Sequence, residues 1–281
     1  MALPTPWWMP SSVPEAATGY WREVHLALLE TDPLSKCQRV ESLWAAVLSG
    51  DWYPSCPGEP GLLACGRPGK PELVNPGRLR KRGLGSVAGR QALIHAVAHI
   101  EFNAINLGLD AALRFAGMPD DFYRDWLSVA ADEAKHFRML NDRLAELDAS
   151  YGDFPAHSGL WDMAEKTAHD VLIRMALVPR VLEARGLDVT PGMIKRLEQV
   201  GDERTVAVLN IILEEEERHV AIGSHWFRHL CQERNLDPET TFDGLLDRYF
   251  DGQIRGPFNL PARKRAGFTQ PELERLQAMD A

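Results

Sequence analysis

Four long segments of this chain carry apolar residues at steps of three and four, and in each the apolar stripe is interrupted by acid. In one, Trp126, Val129, Ala130, Glu133, His136, Phe137, Leu140, Leu144 and Leu147 share a helical face, while Asp132, Lys135 and Arg138 fall off it. Ile212, Leu213, Glu216, His219, Val220, Gly223, Trp226, Phe227 and Leu230 repeat the pattern, with Glu214, Glu215, Glu217 and Arg218 to the sides or behind. Glu101 sits in the same way among Ile94, Val97, Ala98, Ile105, Gly108, Ala112 and Phe115. Glu183 follows Leu172, Ala176 and Pro179, a rougher stripe that the proline is expected to bend.

Capping and breaker residues divide the chain around these stripes. Two short helices are predicted over 15–30 and 33–48, the second started by Asp32 before Pro33. Pro and Gly deny regular structure to 50–85. Ser86 opens a helix over 87–116, and a second follows Gly117 and Pro119 to about 149. A crossover, Tyr151–Gly159, leads to a helix over 160–185 that Gly186 stops, and Pro191 opens a short one. Asp202 starts the last long helix, to about 235, and a piece over 238–250 precedes the tail. No strand signal competes. The prediction is an all-α chain: a four-helix bundle with a long crossover over 86–235, an N-terminal helical extension with its connection over 1–85, and a C-terminal helix and tail over 236–281.

The acids read together as Glu101, Glu133-x-x-His136, Glu183, Glu216-x-x-His219, with Glu101 preceding Glu133 by 32 residues and Glu183 preceding Glu216 by 33. The chain reads as a duplicated helix pair. Nine His and 21 Glu in 281 residues give about 0.7 Glu-x-x-His matches by chance, so the spacing alone is weak and the helical phase carries the reading. Ionised carboxylates on core faces cost several kcal/mol each unless a cation compensates. Buried ion pairs are one solution, but no Lys or Arg shares the inner stripes of the first, second or fourth helix. A two-metal site accounts for all six residues: four carboxylates balance two divalent cations, and one imidazole per metal leaves coordination positions open. Oxygen-rich donors with one nitrogen suit iron, with Mn or a mixed Fe/Mn pair as the other fit, and not a closed zinc tetrahedron. Arg180, one turn before Glu183, is expected to pair with a carboxylate behind the donors or to hold an anionic substrate group.

The net charge of −9 argues against generic nucleic-acid binding. The clusters Arg78, Arg80, Lys81, Arg82, Arg90 and Arg263-Lys264-Arg265 read first as solvated faces. No uninterrupted apolar run has membrane-spanning length, and Met1–Pro14 lacks a basic lead into a hydrophobic stretch, which gives the expectation of a cytoplasmic protein. Cys37, Cys56, Cys65 and Cys231 contain no C-x-x-C pair and read as reduced thiols, although Cys56 and Cys65 flank a loop that a disulfide or metal clip would close. Gly108 and Gly223, on inner faces, either admit close helix packing or open space for a substrate. None of the five tyrosines lies within two helical turns of a candidate ligand in sequence.

The chain resembles a ferritin-like family of unknown function found mainly in bacteria. The likeness is carried by His99-Ile-Glu101, Asp132-Glu-Ala-Lys-His-Phe137, Tyr151-Gly-Asp-Phe-Pro-Ala-His157, Leu177-Val-Pro-Arg-Val-Leu-Glu-Ala-Arg-Gly-Leu-Asp188, His219-Val-Ala-Ile-Gly223, Arg255-Gly-Pro-Phe-Asn259 and Ala266-Gly-Phe268. It implies the ferritin-like fold and a di-metal centre at Glu101, Glu133, His136, Glu183, Glu216 and His219, and no substrate. The ligand order is more distantly similar to that of di-iron hydroxylases and N-oxygenases, including the tRNA hydroxylase that modifies a prenylated adenosine. The expectation is an O2-dependent di-iron oxidoreductase, a hydroxylase or oxidase of a small molecule, with an electron donor and substrate that the sequence does not name. A tRNA-modifying hydroxylase, and an iron-handling or peroxide-reducing protein without an organic substrate, are the alternatives. A homodimer is compatible with all three.

Overall fold

A computed structural model of the chain describes residues 15–51, 64–79, 82–250 and 254–279, with 15–18 as backbone only. The described residues are all-α, as the stripes predict, and their only extended pairing is a single bridge between Leu73 and Ala156. The chain divides into two compact units, Met1–Arg82 with Val87–Ser158, and Gly83–Ser86 with Gly159–Ala281.

The first unit is built on α1 (Glu15–Leu29), α2 (Pro33–Ser49), α3 (Val87–Arg114) and α4 (Asp120–Glu146). Asp32 caps α2 by accepting from Ser35 N at 2.9 Å, with Pro33 in the first turn, and Gly50 closes it at φ +79°. Helices α3 and α4 form an antiparallel pair: Gln91 donates to Leu147 O at 2.6 Å at one end, and Tyr123 Oη donates to Phe115 O at 2.9 Å at the other. A β-carbon on Gly108 would stand 2.9 Å from Ala130 Cβ and Trp126 O, so close packing, not open space, explains this glycine. Helix α3 has the length and apolar content of a membrane span, but 78% of its most apolar window is buried. Lys36 is fully buried, donating to Leu28 O at 2.8 Å and Asn106 Oδ1 at 2.5 Å.

Between α2 and α3, residues 64–79 contain one 3-10 turn, Pro76–Arg78, and are otherwise irregular, as their Pro and Gly content predicts. Val74 N donates to Ala156 O, and Ala156 N to Glu72 O, pinning the Tyr151–His157 crossover to this connection. Cys56, Arg80 and Lys81 lie outside the described residues.

The second unit runs through α5 (Gly159–Lys166), α6 (Val171–Leu177), a π-helical segment (Val178–Glu183), α7 (Ala184–Glu198), α8 (Glu203–Glu233), α9 (Pro238–Phe250), α10 (Leu260–Arg265) and α11 (Gln270–Met279). Three sequence expectations are corrected here. The helix expected over 160–185 is broken after Lys166, and Asp170 recaps it by accepting from Leu172 N at 2.8 Å. Gly186 does not stop a helix and Pro191 does not open one: α7 runs through both. Proline leaves the carbonyl four residues back without its helical donor, and here Asn259 Nδ2 serves Leu187 O at 3.2 Å. Among the described residues beyond 250, Leu260–Arg265 and Gln270–Met279 are helical. Asn259 caps α10, and Thr269 and Glu272 form a capping box at the start of α11, with Thr269 N donating to Glu272 Oε2 at 2.9 Å.

Arg263 is also corrected, from a solvated basic patch to a buried residue. Its Nε and Nη2 donate to Asp188 Oδ1 and Oδ2 at 3.0 and 2.7 Å. Lys264 and Arg265 are exposed, and Arg265 pairs with Glu217 at 2.7 Å.

Candidate metal centre

Within the first unit, the inward stripes of α3 and α4 bring Glu101, Glu133 and His136 together. Their donor atoms lie within 4.8 Å of one another, and all three residues are buried. His136 Nδ1 is 3.2 Å from Glu101 Oε2 and 3.4 Å from Glu133 Oε2. Burial pushes the Glu101 carboxyl well above the usual carboxylate range, and the neighbouring charge of Glu133 adds to the rise, while His136 opposes it. For His136 burial disfavours the imidazolium, but hydrogen bonds to the two carboxylates outweigh it and hold the ring above its ordinary range.

The second unit repeats the local geometry. Glu216 and His219 sit one turn apart on α8, with His219 Nδ1 3.7 Å from Glu216 Oε2, and both are buried. Of the run Glu214–Glu217, only Glu216 is buried, as the helical phase predicts. Glu183 ends the π-helical segment and is buried too. A π turn inserts one residue relative to an α-helix and shifts every following side chain around the axis, which is why the stripe before Glu183 reads as irregular in sequence. Pro179 packs on α8 where Gly223 lacks a side chain, so Gly223, like Gly108, serves close approach.

Two carboxylates and an imidazole in contact without solvent are a donor set that could hold a metal ion. A cation would offset the burial, and the lesser repulsion from Glu133, that raise Glu101, and the oxygen-rich set with one nitrogen fits a hard or borderline divalent metal.

The carboxylate partner of Arg180 is Glu272 of α11, at 2.7 Å, with Nε donating to Ser224 Oγ at 3.3 Å. Three phenylalanines, Phe227, Phe242 and Phe268, surround the guanidinium at 4.7, 4.1 and 4.6 Å. Sequence reasoning did not single out Glu272, whose one legible trace is its place in the capping box.

Spacing along the chain also hid Tyr151. Its hydroxyl lies 2.8 Å from His99 Nδ1, and its ring packs on Phe137 and Phe102 at 5.0 and 5.7 Å, the neighbours in sequence of His136 and Glu101. His99 therefore faces the crossover. A cleft of about 550 Å³ between α1 and α2 is lined by residues such as Glu23, Ser35, Gln38 and Arg39, and none of the candidate donors borders it.

These features define a helical protein with buried Glu/His donors. The chain belongs to the family described as "Protein of unknown function (DUF455)", whose model matches residues 29–274. It is similar to an uncharacterized protein of Haemophilus influenzae, 44% identical over 270 residues that cover 92% of this chain and 93% of that one. No solved structure matches the chain.

Proposed function

We propose that the chain is a di-iron carboxylate oxidoreductase that activates O2, a hydroxylase or oxidase of a small molecule. The observation that carries this reading is the repetition of one donor set: each unit buries a Glu-x-x-His pair with Nδ1 turned toward its own carboxylate, and each buries a further glutamate on another element. Glu101, Glu133 and His136 are the candidate donors of the first unit, and Glu183, Glu216 and His219 those of the second. Four carboxylates match the charge of two Fe(II) ions. Such a pair, when bound, supplies two electrons to O2, chemistry that no side chain performs alone.

The chain's own residues would do the rest. The imidazoles stay oriented by their carboxylate neighbours, and the aromatic cluster of Phe102, Phe137 and Tyr151 excludes water from the flank of the α3–α4 donors.

Metal analysis of protein from iron-supplemented cells, followed by anaerobic Fe(II) loading and O2 exposure, tests this. Two irons per chain, lost in Glu133→Ala and Glu216→Ala, with O2 consumed in proportion to iron, is the expected result. Folded protein that binds no metal under any loading would sink the reading. Iron taken up and released without O2-dependent oxidation of any added organic compound would leave an iron-handling protein instead.

A further inference from the structure

The elements beyond α8 make contacts that stability alone does not call for. Arg180 sits in the middle of the π-helical segment, three residues before Glu183, 1% exposed, and Glu272 reaches it from α11. Asp188, five residues after Glu183, is held by Arg263 of α10 through two bonds and by Asn259 N at 2.8 Å. Arg263 Nη1 also donates to Arg180 O at 3.4 Å, and Arg185 donates to Gly256 O and Pro257 O. Both flanks of Glu183 are thus bolted to the C-terminal helices by buried ion pairs. Replacing such pairs with well-packed apolar residues is commonly neutral or stabilising, because desolvation offsets their attraction. What they provide is direction: a guanidinium fork accepts its partner in one geometry. A π turn, whose hydrogen bonding is less favourable than an α turn, needs such external fixing to persist.

We propose that α10 and α11 form a clamp that sets the position of Glu183, with Arg180–Glu272 and Arg263–Asp188 as its two jaws. Arg180, Asp188, Arg263 and Glu272 are then positioning residues of the metal centre. This rests on the di-metal reading above, with Glu183 as a donor to one of the two ions.

The test uses the full chain and Co(II) or Fe(II) titrations read by absorbance and by stoichiometry. Glu272→Gln removes the charge while keeping the side-chain cap on Thr269, and Asp188→Asn does the same at the other jaw. Each is expected to weaken one of the two metal affinities by roughly 10–100-fold, the usual effect of losing support behind a ligand, and to leave the other within about twofold. Glu272→Asp should recover part of the loss. Leu209→Ala, a core truncation on α8 outside the four jaw residues, should lower the melting temperature without changing either affinity. If the parent binds two metals and both charge-removing variants keep both affinities, the clamp is overturned and the di-metal reading stands. If both affinities fall together, and fall as well in Leu209→Ala, the contacts are merely structural and the clamp is again overturned. A folded parent that binds no metal overturns both.

Discussion

A β-carbon placed on Gly223 of α8 would stand 2.3 Å from Cγ of Pro179 in the π-helical segment. That contact lies one turn beyond His219 and one turn before Glu183, so this close approach of the two elements falls one turn from each of two candidate donors. Gly223→Ala is expected to destabilise the protein by about 1–3 kcal/mol through overpacking, although alanine is the better helix former. Gly186→Ala on α7, where a β-carbon meets nothing, should instead stabilise by about 0.5–1 kcal/mol. Urea melts of both variants check the pair, and a stabilised Gly223→Ala would contradict the packing.

Asn259 substitutes for the backbone donor that Pro191 lacks. Asn259→Ala removes the bond to Leu187 O and the cap on α10, at a cost of roughly 1–2 kcal/mol. In a Pro191→Ala background, Leu187 O regains a helical donor, so the same change should cost about 1 kcal/mol less. A double-mutant cycle with no coupling would show that the two positions act independently.

Buried Lys36 should make stability depend on alkaline pH. Burial holds its ammonium down to about 8, from an ordinary 10.5. Between those values the unfolded chain binds more protons than the folded one, so this residue's contribution rises with pH, complete above 10.5 and lost as pH falls through 8. At about 1.4 kcal/mol per unit, the advantage of the parent over Lys36→Met should grow by on the order of 3 kcal/mol across that window. Urea melts of both proteins at pH 7.5, 9 and 10 measure it, and a constant difference would refute the assignment.

The Glu101–Glu133–His136 cluster should make the metal-free protein less stable as pH rises. A carboxyl and an imidazole both held above their ordinary values favour the fold while protonated, and that contribution is lost as pH climbs through the raised values, starting above 4.5. Glu133→Gln is expected to flatten this dependence and to raise metal-free stability near neutral pH by about 1–3 kcal/mol, while removing any stabilisation by added metal. Thermal melts between pH 5 and 8, with and without chelator, test both halves. A variant less stable than the metal-free parent at every pH would show that Glu133 is held by its partners and not strained.

Periodicity and capping alone predict the all-α class, the long helices that carry Glu101, Glu133 with His136, and Glu216 with His219, and the inward face on which each candidate donor lies. Those features are local: a 3.6-residue period and a cap such as Asp32 or Asp202 act within one or two turns, where neighbours in sequence are neighbours in space. The remaining features depend on residues far apart in the chain. Gly186 and Pro191 carry local signals to break a helix, and α7 passes through both; at Pro191 the missing donor is supplied by Asn259, 68 residues further along the chain. Arg180 meets Glu272, Arg263 meets Asp188, and Tyr151 meets Phe137, by folding and not by spacing. Periodicity reports which way a side chain faces; it carries no information about what arrives on that face, because burial and ion pairing are settled by the packing of distant elements.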